Sequence, residues 1–249
     1  MSWGFTSPRA RVVRAWGVAL ILALLAGIAR DQVWQAVPHP RPLEELSYYP
    51  SGEHLRPASL GHAETAADLA WLRAVQYYGE HRMSDNRFER MEHVFDILTT
   101  LSPGFVSGYI FGAFALAQEG QDFEAAEGLM LKGIEANPRN GRLAFELGFL
   151  YFVRPGGRDL NRAAEYFTQA SRQPDSPPQA LRFAAFARQH AGNLAAAYEL
   201  WKHVRESSPN HFMREIAERE MKRIAEAIRS GHTKAVVKTL STPRVAIRG

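Results

Sequence analysis

From Thr65 to about Ile228 apolar residues recur every three or four positions, the period of a helix that buries one face, and turn residues break the pattern at regular intervals. The stretches "VFDILTTLSPGF", "MLKGIEANPRN", "YFTQASRQPDS" and "LWKHVRESSPNH" each carry such a run to a proline. Proline lacks a backbone donor and its ring clashes with the preceding turn, so each of these runs ends there. Pro103, Pro138, Pro174 and Pro209 lie 35, 36 and 35 residues apart. Four stops at one interval predict a structural repeat of two helices per unit.

Inside the units, small and large residues alternate in fixed places. "VSGYIFGAFALAQEGQDFEAAEGLMLKGIEANP" has Phe111-Gly112, a break at Gly120, then Ala126, Met130 and Gly133 on one helical face. The next unit has Leu147-Gly148 and Tyr151, then Ala163, Phe167 and Ala170. The last has Ala185 and Gly192, then Ala197, Trp201 and Val204. Glycine and alanine let two helices approach, and the large residue wedges between them. This pattern resembles the tetratricopeptide repeat, a helix-turn-helix unit of about 34 residues, and the resemblance is strongest over residues 104 to 209. An earlier unit, residues 66 to 103, fits less closely, and "VRPGGRDLN" lengthens the turn of the third.

The expected fold is therefore all-α: a tetratricopeptide-like solenoid of helical hairpins, about four repeats long, with an N-terminal transmembrane or signal helix and a C-terminal capping helix. The boundaries read 1–30 for the signal-anchor, 31–63 for a proline-rich linker packed on the first repeat, and 64–209 for the repeats. Residues 210–230 form the cap, with Phe212, Ile216, Met221, Ile224 and Ile228 as its apolar stripe, and 231–249 a basic flexible tail. Tyr48, Tyr49, Pro50 and Leu55 are too apolar for a free linker and are expected against the first helices.

Charge adds an address. Arg9, Arg11 and Arg14 precede an uncharged run from Ala15 to Ala29, which Val12 and Val13 lengthen toward the roughly 20 residues a bilayer requires. This predicts a single-pass anchor through residues 12–29 in the inner membrane, with the main domain outside the cytoplasm. Cleavage near Ala29, giving a secreted protein, is the alternative. The net charge of +4 resides in the termini, and residues 31–221 carry about −6, so no nucleic-acid partner is expected. The absence of cysteine excludes disulfides, thiolate nucleophiles and cysteine-held metal. No cofactor or metal is implied.

The resemblance implies an inner surface, lined by the first helix of each pair, that holds a segment of another protein. Its candidates are Val106, Tyr109 and Ala113, then Arg142, Phe145, Phe149 and Phe152, then Arg182, Phe186, Gln189 and His190. Aromatic residues edged with arginine suit an apolar segment of some acidic character. The expected function is a membrane-tethered interaction scaffold or assembly factor of the cell envelope, not an enzyme. The alternative is an enzyme or small-ligand protein with its site in residues 48–82, where His62, Glu64, Asp68, Arg73, Tyr77, Tyr78, Glu80 and His81 fall within twenty residues. Glu64 and Asp68 lie one turn apart, though a buried pair of Asp68 with a nearby arginine is the simpler expectation.

Overall fold

The computed structural model describes residues 8–36 and 50–231, and divides the chain into a unit of residues 1–47 and a unit of residues 48–249. The described part of the first unit is a helix, α1 (Pro8–Ala36). Its described side chains, residues 16–30 and 32, are exposed, among them Trp16, Leu20, Leu22, Leu24 and Ile28. Among the described residues no helix is long and apolar enough to cross a membrane. The expected span 12–29 includes Val12 and Val13, whose side chains lie outside the described set.

The second unit is helical throughout its described length. Its helices are α2 (Gly52–Ala58), α3 (Ala63–Met83), α4 (Met91–Leu101), α5 (Val106–Gln118) and α6 (Phe123–Ala136). These are followed by α7 (Gly141–Val153), α8 (Leu160–Ser171), α9 (Ala180–His190), α10 (Leu194–Ser207) and α11 (His211–Ser230). α3 packs on α4, α5 on α6, α7 on α8 and α9 on α10, with α11 against α10. This is an all-α series of packed consecutive pairs, consistent with a helical solenoid.

The helix ends have local causes. The second helix of each pair stops two or three residues before Pro103, Pro138, Pro174 or Pro209. Carboxylate or amide oxygens of Asp122, Asn140, Asp159, Asn193 and Asn210 accept backbone N–H bonds that open α6, α7, α8, α10 and α11. At the far end Gly231 takes the left-handed conformation, φ 71°, that closes α11.

The small residues mark close approaches. Ala126, Ala163 and Ala197 are fully buried next to the buried Met130, Phe167 and Trp201. A Cβ on Gly112 would stand 2.6 Å from the Phe95 ring, and one on Gly148 2.9 Å from the Phe167 ring. The stretch expected as linker differs in part. α2 lies within it and packs on α4, so closely that a Cβ on Gly52 would stand 2.6 Å from Thr100 Cβ. Tyr48 and Tyr49, like the basic tail from 232, lie outside the described residues.

Candidate partner-binding groove

Phe149 and Phe152 are one turn apart on α7, and Phe183 and Phe186 one turn apart on α9, so each pair shares a helical face. The neighbouring helices bring the pairs together. Ring centroids lie 6.3 Å apart between Phe149 and Phe183, 6.1 Å between Phe152 and Phe183, and 6.0 Å between Phe152 and Phe186. Phe114 of α5 extends the row, 6.2 Å from Phe149. All five rings are only partly buried, leaving a continuous aromatic strip in contact with solvent.

At its C-terminal end the strip enters a cavity of about 520 Å³, walled by Phe152, Phe183, Phe186 and Trp201 together with Met213 and Ile216 of α11. Arg158, Arg182 and Glu220 supply its charged lining. The Arg158 guanidinium carbon stands 5.6 Å from the Phe152 centroid and that of Arg182 5.5 Å from the Phe183 centroid. Arg182 Nη1 also approaches Met213 Sδ at 3.4 Å. Among the described residues neither arginine has a carboxylate within ion-pair distance.

Glu220 is in the opposite condition. Its Oε2 accepts a bond from Gln189 Nε2 at 2.8 Å and one from Arg223 Nη1 at 3.4 Å. Gln189 is 1% exposed, and its Oε1 accepts the Trp201 indole N–H at 2.7 Å. A buried amide whose partners are absent costs about 1 to 3 kcal/mol, so this relay fixes α9, α10 and α11 to one another. Among the described residues the cavity therefore has two uncompensated cations and one compensated carboxylate.

The expected groove residues divide accordingly. Phe152, Arg182 and Phe186 line the cavity, and Phe149 lies on the strip leading to it. Tyr109 does not face a groove: it is 0% exposed, its hydroxyl bonds the Thr99 carbonyl at 3.4 Å, and a Cβ on Gly133 would stand 2.8 Å from its ring. Ala113 is likewise buried. On α5 the stripe containing Tyr109 and Ala113 is the packed face, and Phe114, about 100° further round, reaches the strip. Phe145 is buried against Phe167 and Phe183, Gln189 belongs to the relay, and the buried His190 ring rests 4.2 Å from Phe186. Arg142 is exposed, and its Nε lies 3.9 Å from Glu146, whose carboxyl burial holds above its usual range.

Sequence reasoning missed Phe183, Arg158, Met213 and Glu220. Phe183 sits beside the stripe assigned to the inner surface, and Arg158 belongs to a turn that periodicity does not reach. Met213 and Glu220 fall at i−3 and i+4 from Ile216, which was assigned only to capping.

The cluster at 62–81 is dispersed. His62, Glu64, Asp68, Arg73 and Glu80 are exposed, so Asp68 forms no buried pair: it lies opposite the face that carries Ala67, Ala70 and Ala74. Tyr77 and His81 are buried and hold the turn 84–90. The Tyr77 hydroxyl accepts the Arg90 N–H at 3.0 Å, and His81 Nδ1 bonds the Asp85 carboxylate. Burial pushes the Tyr77 hydroxyl up, while the bond from His81 holds Asp85 below its usual range. His81 Nε2 is buried without a hydrogen-bond partner. Among the described residues no three His, Cys, Asp or Glu are grouped to hold a metal ion.

Comparison with known proteins finds no matching family model, curated sequence or solved structure.

Proposed function

We propose that this chain is a tetratricopeptide-like scaffold that binds an apolar segment of another protein along the α5–α7–α9 strip, tethered to the inner membrane through residues 12–29. The observation that carries the reading is the solvent-facing strip of Phe114, Phe149, Phe152, Phe183 and Phe186, ending in a cavity rather than in packed core. Soluble proteins seldom leave contiguous aromatic surface open unless something covers it. The exposed apolar residues of α1 support the tether, because a helix apolar on every side needs a nonaqueous surrounding. Export and cleavage near Ala29 is the competing address. Alkaline phosphatase fused after Gly249 is expected to be active in a bacterial host, and an inactive fusion reverses the orientation.

Binding is tested by capture from solubilised membranes. Phe149→Ala combined with Arg182→Glu is expected to abolish recovery of the partner that the parent chain recovers, since truncating a central aromatic anchor costs about 2 kcal/mol or more. Circular dichroism and melting should stay near the parent's, because both side chains are partly exposed. A partner retained by that double variant and lost by His62→Ala or Asp68→Asn would move the site to residues 62–81 and revive the enzyme reading.

A further inference from the structure

We infer that the cavity between α9 and α11 selects the segment's anchor residue: a bulky apolar side chain with an aspartate or glutamate beside it. This rests on the scaffold reading above and adds to it a chemistry for the partner.

The argument is one of charge compensation. Arg158 and Arg182 stand over rings of the cavity wall, at 5.6 and 5.5 Å, with no carboxylate among the described residues paired to either. An apolar group that fills the cavity removes water from both guanidinium groups, and the loss is recovered only if the same ligand brings negative charge. Planar guanidinium groups held over rings keep their in-plane N–H donors available to a carboxylate.

Glu220 decides which anion arrangement is accepted. Its carboxylate is fixed by Gln189 and Arg223 on the α11 side of the cavity, so a ligand carboxylate placed there meets like charge. The acidic residue must therefore lie toward Arg158 and Arg182, which orients the segment in the groove as well as selecting it. A basic segment fails twice over, against two uncompensated arginines and with Glu220 already bonded. A volume of about 520 Å³ with five apolar walls besides Trp201 accommodates a Leu, Phe or Trp side chain with room for its neighbour.

The test is a selection from a randomised peptide library on the full chain in lipid nanodiscs, with empty nanodiscs as background. The expected result is enrichment of peptides with Asp or Glu adjacent to a bulky apolar residue, by about tenfold over their lysine counterparts. With Arg158→Glu and Arg182→Glu together, the preference should reverse toward Lys or Arg. Arg158 is exposed, so Arg158→Gln, which removes its charge and its contact with the Phe152 ring but disturbs no buried core, is expected to weaken the acidic preference without reversing it. Bulky apolar peptides enriched without any charge preference, or a preference unmoved by both variants, overturn the inference and leave the groove reading standing. No enrichment over empty nanodiscs overturns both.

Discussion

Single residues in this chain are held by distance more than by chemistry. Ala197 is fully buried beside Trp201 and Ala185 in the cluster that joins α9, α10 and α11. Ala197→Leu inserts three carbons where no space exists, and should lower stability by about 1 to 3 kcal/mol. An unchanged melting temperature would contradict the packing. Tyr151 gives a second test. Its hydroxyl is bonded by Arg162 Nη1 at 2.6 Å and bonds the Glu127 carboxylate, and Tyr166 stacks on its ring. Burial first, and then the Glu127 carboxylate, pushes the pKa of the hydroxyl up from 10.0 to about 12. A raised value means the stabilisation is whole below pH 10, where the unfolded tyrosine stays protonated, and is lost as pH rises toward about 12. Tyr151→Phe should flatten part of that alkaline decline, measured by melting across the same range. The Tyr109 correction belongs to this scale too. Periodicity identifies a stripe of helical residues but does not say which stripe is core when a helix such as α5 is apolar nearly all round. The slip of about 100° from Tyr109 and Ala113 to Phe114 follows from that ambiguity.

At the scale of elements, what the prolines and small residues encode was legible. Helix ends before Pro103, Pro138, Pro174 and Pro209 depend on local stereochemistry, and the burial of Ala126, Ala163 and Ala197 on a spacing that survives into packing. The connections were less so. α2 is seven residues long with Pro57 in its last turn, and it forms because α4 offers it a surface, a tertiary cause that no local pattern records. The turn between α7 and α8 brings Arg158 to the cavity by way of Gly156 and Gly157, both at positive φ, so its path is a matter of backbone freedom rather than periodicity. The turn between α3 and α4 yields a prediction. Asp85 accepts from His81 and from the Arg87 N–H at 3.1 Å, which together hold its pKa below the ordinary carboxylate range. A lowered value stabilises the turn above the unfolded carboxylate's titration and is lost as pH falls through the folded one. Protection of the amides in residues 84–90, measured against their intrinsic exchange rates at each pH, should therefore fall on acidification, and Asp85→Asn should show the lower protection already at neutral pH. Equal exchange in both chains at neutral pH would remove Asp85 from the turn's support.

Across the whole second unit, the principal contacts join helices one or two places apart in the chain. The candidate groove arises only at this scale, since Phe114, Phe149 and Phe183 come from three pairs and are adjacent because the pairs stack. α11, expected as a cap, has an exposed polar side. Its inner face supplies Met213, Ile216 and Glu220 to the cavity, so the last described helix also completes the candidate groove. That second role depends on how α11 sits against α9, which a stripe of apolar residues cannot specify.

Nearest-neighbour stacking has a mechanical consequence. Contacts between distant helices would make a chain resist pulling as one body, whereas here each pair is held chiefly by the pairs beside it. Tension applied between the ends of residues 50–231 should peel pairs away in turn. Successive prolines are 35 or 36 residues apart, and each released unit should lengthen the chain by roughly 120 Å of contour. An optical-trap recording is expected to show a staircase of such increments, and a single rupture of the full length would show the pairs to be coupled. Because the Asn137 side chain bonds the Pro103 carbonyl of the preceding unit at 2.8 Å, the step that parts these two units must also break a polar latch between them. The array then behaves as a series of short springs, yielding under load a pair at a time.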